Sequence, residues 1–257
     1  MEFISDPSSW VILAAIGFVA GFIDAVVGGG GLLSIPALLA AGVPPHLALG
    51  TNKLAACFGS LTSSYTYYKQ HFFTPSFWKA GAIATAIGAV VGSCIVFMMD
   101  ADWLQKLLPI LIICIAVYTF FSPQSMGEDN IQAPCSPSSN KKQASQGFIL
   151  GSYDGFAGPG IGAFWTVSSI KLHQLPLLHS CGLARAMTAV SNVTALIIFA
   201  LLGQVHWGLG LWMGICMMLG SIVGAKTAIR YGIPFIKPLF IIVVMAIALQ
   251  LSWSAWS

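Results

Sequence analysis

Charge is what this sequence has least of. Asp, Glu, Lys and Arg make up 7% of its 257 residues, and 57% are hydrophobic. Soluble domains carry about 25% charged residues. Eleven basic and eight acidic side chains cannot coat a water-facing surface of this size. They can coat the two polar faces of a helical bundle whose waist lies in lipid. Other absences narrow the field further. A net charge of +3 with no basic stripe argues against a nucleic-acid partner. There is no G-x-x-x-x-G-K-S/T loop for ATP-driven pumping, and no G-x-S-x-G or H-E-x-x-H for hydrolysis. No enzyme, metal or cofactor is expected. Six cysteines show no metal-ligand spacing: Cys57, Cys94, Cys114, Cys181 and Cys216 lie in or beside apolar runs, Cys135 in a polar loop. They read as small buried hydrophobes. A basic leader is missing too. Glu2 and Asp6 precede the first apolar run, which leads into four glycines, so a cleaved signal peptide is not expected.

What is present is a series of apolar runs near the ~20 residues needed to span a bilayer. They cover roughly 10–27, 46–68, 76–99, 103–121, 147–157, 182–202, 207–229 and 234–256. Shorter apolar pieces at 32–42 and 160–170 follow glycine-rich breaks. The predicted fold is an all-α polytopic membrane protein. It divides into a first transmembrane repeat over 1–121, a cytoplasmic linker over 122–146 and a second repeat over 147–257. Whether 10–42 spans twice or forms a re-entrant hairpin is open. Trp78, Trp103, Trp207 and Trp253 read as interfacial anchors.

The second half repeats the first. At an offset of 130, Gly17, Phe18, Gly21, Asp24, Gly28 and Gly30 fall on Gly147, Phe148, Gly151, Asp154, Gly158 and Gly160. At an offset of 132, Lys53 falls on Arg185, Ser60 on Asn192, and Gly88/Gly92 on Gly220/Gly224. Glycine matches are cheap in such a chain, but the Asp and Lys/Arg matches are not. Basic residues then orient the halves. Lys69 and Lys79 flank one loop of the first half, whereas the equivalent 203–207 has no Lys or Arg. The next loop reverses this: 100–106 holds Asp100, Asp102 and one Lys106, while 226–237 holds Lys226, Arg230 and Lys237. Lys141, Lys142 and Lys171 also fall inside. Two inverted-topology repeats are expected, with glycine-broken or re-entrant helices and both termini outside the cytoplasm. Many secondary transporters share this plan, with a midplane site between the halves.

The candidate site residues follow. Gly28, Gly29, Gly30 and Gly31, matched by Gly158 and Gly160, interrupt apolar stretches. Non-helical backbone at membrane depth survives only where protein or water covers it, and exposed helix-end N–H groups favour anions. A tight hairpin without a ligand is the competing reading. Asp24 and Asp154 are the acidic residues within apolar spans. They serve either proton coupling or a structural latch that caps the broken helix. Lys53 and Arg185 put one cation in each half, which suits a small anion, although both side chains are long enough to snorkel. Asn52, Ser60, Ser191 and Asn192 are further polar groups, for substrate or for interhelical bonding. Gly88-x-x-x-Gly92 and Gly220-x-x-x-Gly224 read as helix-packing motifs. Transport by alternating access leads; a passive anion channel or a membrane protein without transport activity are the alternatives.

Gly21-Phe22-Ile23-Asp24, Gly28-Gly29-Gly30-Gly31-Leu32-Leu33-Ser34-Ile35-Pro36 and Leu49-Gly50-Thr51-Asn52-Lys53 resemble the first repeat of the TauE/SafE sulfite-exporter family. Tyr153-Asp154-Gly155-Phe156-x-Gly158-Pro159 and Ala189-x-Ser191-Asn192 resemble its second. The resemblance spans essentially the whole chain. It implies a permease of the bacterial inner membrane that moves small sulfur-containing anions, such as sulfite or organosulfonates, outward. Arg185 departs from the Lys usual at that place, exchanging a compact ammonium for a planar fork.

Overall fold

The computed structural model describes residues 7–104, 106–107, 139–232 and 234–236. Most of the expected spans at 103–121 and 234–256, most of the linker, Cys114, Cys135, Trp253 and both termini lie outside these residues. Among the described residues every regular element is helical. They are α1 (Pro7–Val26), α2 (Gly31–Ala40), α3 (Pro45–Lys69), a 3-10 turn (Pro75–Trp78), α4 (Lys79–Phe97), α5 (Asn140–Phe156), α6 (Ile161–His173), α7 (Leu177–Leu201) and α8 (Trp207–Tyr231). Pro75–Phe97, Leu177–Leu201 and Trp207–Tyr231 are long and apolar enough to cross a membrane. The outer faces of α4 and α8 expose Ile83, Ile87, Val91 and Ile95, and Leu211, Ile215, Leu219 and Val223, at helical spacing. Stripes of that size are what lipid, not water, covers. The chain is an all-α polytopic membrane protein.

α3 is as long as α7 and α8 but far more polar, because it carries Thr51, Asn52, Lys53, Ser60 and Ser63. All of these are buried in protein. Such a helix is tolerated in lipid only when neighbours cover its polar face.

Each half holds a broken helix that folds back on itself. Gly30 turns back against Ala20 and Asp24, and α2 then descends along α1, with Leu13, Ala20 and Leu38 in one core. In the second half, Tyr153 meets Phe164 edge-on, and Gln146 donates to Ser168 and Ser169. α2 has 10 residues, about 15 Å at 1.5 Å per residue, half of a ~30 Å hydrocarbon core. Residues 10–42 therefore form a re-entrant hairpin and do not span twice. The same backbone bonds close both breaks: Val27 N and Gly28 N donate to Ile23 O, as Ala157 N and Gly158 N donate to Tyr153 O. Gly28 (φ 92°) and Gly158 (φ 82°) sit in the left-handed region, where a Cβ is penalised.

Contacts between helices define their directions. Gly17 and Gly21 lie on the Met213 and Met217 carbonyls, so α1 runs parallel to α8. Gly147, Gly151 and Gly155 lie on the carbonyls of Gly81, Thr85 and Ala89, so α5 runs parallel to α4. Gly88 and Gly92 abut the Phe148 and Ser152 carbonyls, as Gly220 and Gly224 abut those of Phe18 and Phe22. The small-residue motifs are thus sites of backbone contact, as their spacing implies. α3 is antiparallel to α7: Gly50 touches Gln204, Asn192 reaches Ser60, and Gly182 touches Phe72. α3 is parallel to α8, with Leu54 at Gly210 and Phe58 at Gly214. Hence α1, α3 and α8 run one way, and α4, α5 and α7 the other. Lys69, Lys79, Lys141, Lys142, Lys171, Lys226 and Arg230 all come to one end, with Asp100, Asp102 and Lys106 at the opposite end.

Three expectations need correction. Helix α5 begins at Asn140, seven residues inside the stretch read as linker. Its polar first turns are held by Gln143, which donates to Phe77 O and accepts from Gly81 N. Trp78 is not an interfacial anchor. It is buried, edge-on to His173 at 4.8 Å, whereas Trp103 and Trp207 are exposed. Cys57 and Cys181 are buried, but Cys94 lies on the exposed face of α4.

Candidate transport site

The two hairpin tips meet. Gly28 packs directly on Gly162, Gly31 approaches Pro159, and the Arg185 guanidinium lies against both Gly28 and Gly162. Beside this junction is a cavity of about 20 Å3 lined by Asp24, Gly31, Asn52, Lys53, Ala56, Asp154, Gly158, Ile161, Thr188, Asn192 and Met217. A space of that size has room for about one water.

Residues from both halves supply its charge. Lys53 Nζ lies 2.6 Å from Asp154 Oδ1, also donates to Asp154 O, and reaches Asn192 Oδ1 at 3.2 Å. The other carboxylate oxygen, Asp154 Oδ2, accepts from Ser191 Oγ. Arg185 NH1 lies 3.3 Å from Asp24 Oδ2 and donates to Asp24 O. Asp24 Oδ1 accepts from Gly30 N at 3.3 Å. Neither cation snorkels: Lys53 is 2% exposed and Arg185 1%. Each aspartate therefore pairs with the cation of the other half. In a poorly solvated interior, removing one partner leaves an uncompensated charge, which costs about 3–5 kcal/mol.

Of the residues singled out by sequence, Asp24, Gly31, Asn52, Lys53, Asp154, Gly158 and Asn192 come together around the cavity. Gly28 and Arg185 sit at the tip contact beside it. Gly29 is not part of the lining; its Cα faces Leu32 and Ile23. Gly30 is also outside the lining, and its N–H is turned onto Asp24. Gly160 starts α6 in the left-handed region (φ 71°) and serves the turn. Ser60 accepts from Asn192 Nδ2 at 3.5 Å, an interhelical link. Three contributors went unassigned in the sequence. Ser34 donates to Asn52 Oδ1 at 2.5 Å, Tyr153 donates to Pro159 O at 2.6 Å, and Thr188 lines the cavity. Thr188 follows Arg185 by three residues and precedes Asn192 by four. That spacing places all three on one helix face and is the signal by which it is found. Among the described residues no cluster of His, Cys, Asp and Glu could hold a metal.

Helices of this kind around buried ion pairs make up a polytopic membrane protein, and comparison with known proteins gives its class. Residues 13–251 match the family Sulfite exporter TauE/SafE, and the chain belongs to that family. It is 34% identical to the "Probable membrane transporter protein YfcA" of Escherichia coli K12, over 98% of this chain and 93% of that protein. It is 36% identical to the "Probable membrane transporter protein ORF9" of Sinorhizobium sp, over 91% and 88%. A "Probable membrane transporter protein" of Haemophilus influenzae is likewise 36% identical, over 90% and 89%. No solved structure matches the chain. The protein is a membrane transporter and not an enzyme.

Proposed function

We propose that the chain is a secondary permease that exports small sulfur-containing anions, such as sulfite or organosulfonates, by alternating access at a midplane site. The observation that carries this reading is the pair of cross-half ion pairs at the meeting point of the two hairpin tips. Lys53 and Arg185 supply the positive charge that a buried anion needs. Asp24 and Asp154 are the internal anions that hold those cations in the closed site. A cavity with room for one water does not admit a sulfonate, so passage requires the tips to separate. That favours a carrier with a moving barrier over an open pore.

An inverted repeat supports the same reading. Helices equivalent by sequence offset run in opposite senses: α1 against α5, α3 against α7, α4 against α8. Ser60 and Asn192, which the offset pairs, touch each other, as residues on a two-fold axis do. The single basic end is then the cytoplasmic face of a bacterial inner membrane, and both termini are periplasmic. A reporter fused after Ser257 that works only in the cytoplasm is expected to be silent; strong signal there refutes the orientation.

The test of function is flux from liposomes loaded with labelled sulfite or sulfoacetate. Saturable efflux with counterflow, lost in Lys53→Met, is the expected result. Non-saturating flux without counterflow means a channel, and absence of flux for every sulfur anion tried defeats the proposal.

A further inference from the structure

The two ion pairs hold equivalent places in the halves, yet they are not equally satisfied. Lys53 has three acceptors, and both Asp154 oxygens are bonded. Arg185 stands further from its carboxylate, at 3.3 Å against 2.6 Å, and its Nε is buried with no partner. One turn on, the Thr188 hydroxyl is also buried without a partner, and this residue lines the cavity. Threonines within helices ordinarily turn back to the carbonyl one turn earlier. Thr66, Thr166, Thr194 and Thr227 do so here; Thr188 does not. The residue equivalent to Thr188 in the first half is Ala56, which lines the same cavity and has nothing to donate. Among the described residues, the two fully buried donors beside this site that lack a partner, Arg185 Nε and the Thr188 hydroxyl, both belong to the second half. The carboxylate paired with Arg185, Asp24, is also the more open of the two, 11% exposed against 2%.

Resting on the anion-transport reading above, we propose that the Thr188 hydroxyl and the Arg185 guanidinium bind the substrate's oxygens, and that Asp24 is the carboxylate the substrate displaces. Asp154 stays bonded to Lys53 as a fixed latch. Asp24 takes a proton from water on the side to which the site opens and loses its hold on Arg185. An oxyanion with at least two acceptor oxygens then receives the freed guanidinium donors and the threonine hydroxyl. One proton enters with each anion, so export runs down the anion's own gradient and an inward proton gradient opposes it. The other groups that face Asp24 fit this sequence of events. Arg185 comes from α7 and the Gly30 N–H from the hairpin turn, and among the residues lining the cavity α8 contributes Met217. Across the cavity, Lys53 of α3 is already neutralised by Asp154 of α5. Buried donors without partners are costly unless a ligand completes them, and here they sit beside the less firmly held carboxylate.

The experiment is initial-rate efflux of labelled sulfoacetate from liposomes containing the full chain, with and without an acidic lumen. In the wild type an acidic lumen accelerates efflux. Thr188→Ala is expected to raise KM about tenfold with little change in maximal rate, the size expected from losing one hydrogen bond to an anion; Thr188→Ser restores KM. Asp24→Asn is expected to carry anion at a rate indifferent to the pH gradient. A wild-type KM in Thr188→Ala, or a gradient response that survives in Asp24→Asn, overturns the assignment. If Asp24→Asn does not fold, the Thr188 pair of variants decides alone. A wild type that carries no sulfur anion defeats the transport reading itself, which is a separate outcome.

Discussion

The Lys53–Asp154 and Arg185–Asp24 pairs are built from equivalent positions of the two halves, and they differ in how firmly they are closed. On the first, lysine, aspartate, Ser191 and Asn192 form a bonded network with no oxygen of the carboxylate left over. On the second, an arginine with a spare N–H meets a carboxylate held at longer range and shared with a turn amide. The lesson is that positions matched by sequence offset need not match in energetics. Replacing Lys by Arg moves the charge from a point to a plane, and the neighbours on α7 are not those on α3. On the proposal above, that difference gives the site one rigid side and one exchangeable side.

The comparison is broken most directly by cutting each pair in turn. Lys53→Met should destabilise the folded protein by about 3–5 kcal/mol, the usual cost of orphaning a buried partner, and Arg185→Met by less. Unfolding titrations in detergent check the order; equal losses would mean the two pairs are equally closed. Relief of the Lys53→Met defect by a second change, Asp154→Leu, is expected because the uncompensated charge is then gone.

Next in size are the glycine contacts that the halves share. Gly88→Ala and Gly220→Ala each push a methyl into a facing carbonyl, of Phe148 and of Phe18. Each should cost about 1–3 kcal/mol through overpacking. A large loss at one and none at the other would show that the halves pack differently after all. Ser34→Ala sharpens the contrast at a smaller scale. It removes the 2.5 Å bond to Asn52, for which the second half has Phe164 at the equivalent place, and should cost about 1 kcal/mol. Smallest of all is Gly81→Ala. There the new methyl meets only ordinary contacts with Gln143, 3.6 Å and beyond, so melting should move within the ~0.5 kcal/mol typical of neutral changes. Gly81 and Gly88 lie on the same helix, so the two alanines separate close approach from glycine content as the reason the helix needs small residues.

The sequence was a good guide wherever the physics is local. The apolar runs became α1, α3, α4, α7 and α8 within a few residues, because about 20 apolar residues in a row have one place to go in a cell. The glycine breaks became hairpin turns because a left-handed backbone is cheap only without a Cβ. It was a poorer guide where burial depends on a distant partner. Trp78 lies against His173, and the polar start of α5 is covered by the Phe77–Gly81 segment. Nothing near either residue announces those neighbours. Thr188 was legible in principle, one turn from Arg185 on the same face, but a helical threonine is ordinarily silent.

Composition and periodicity by themselves determined a lipid-embedded helical protein with a scarce, repeated set of ionisable side chains. Tertiary structure alone decided that each aspartate answers the cation of the other half. Those partners lie 101 and 161 residues apart, and an offset between repeats is equally compatible with pairing inside a half. Only the directions and register of helices that bring α3 against α7, and the two hairpin tips together, choose between the two, since charge attraction at depth acts on whatever close packing has already placed within reach.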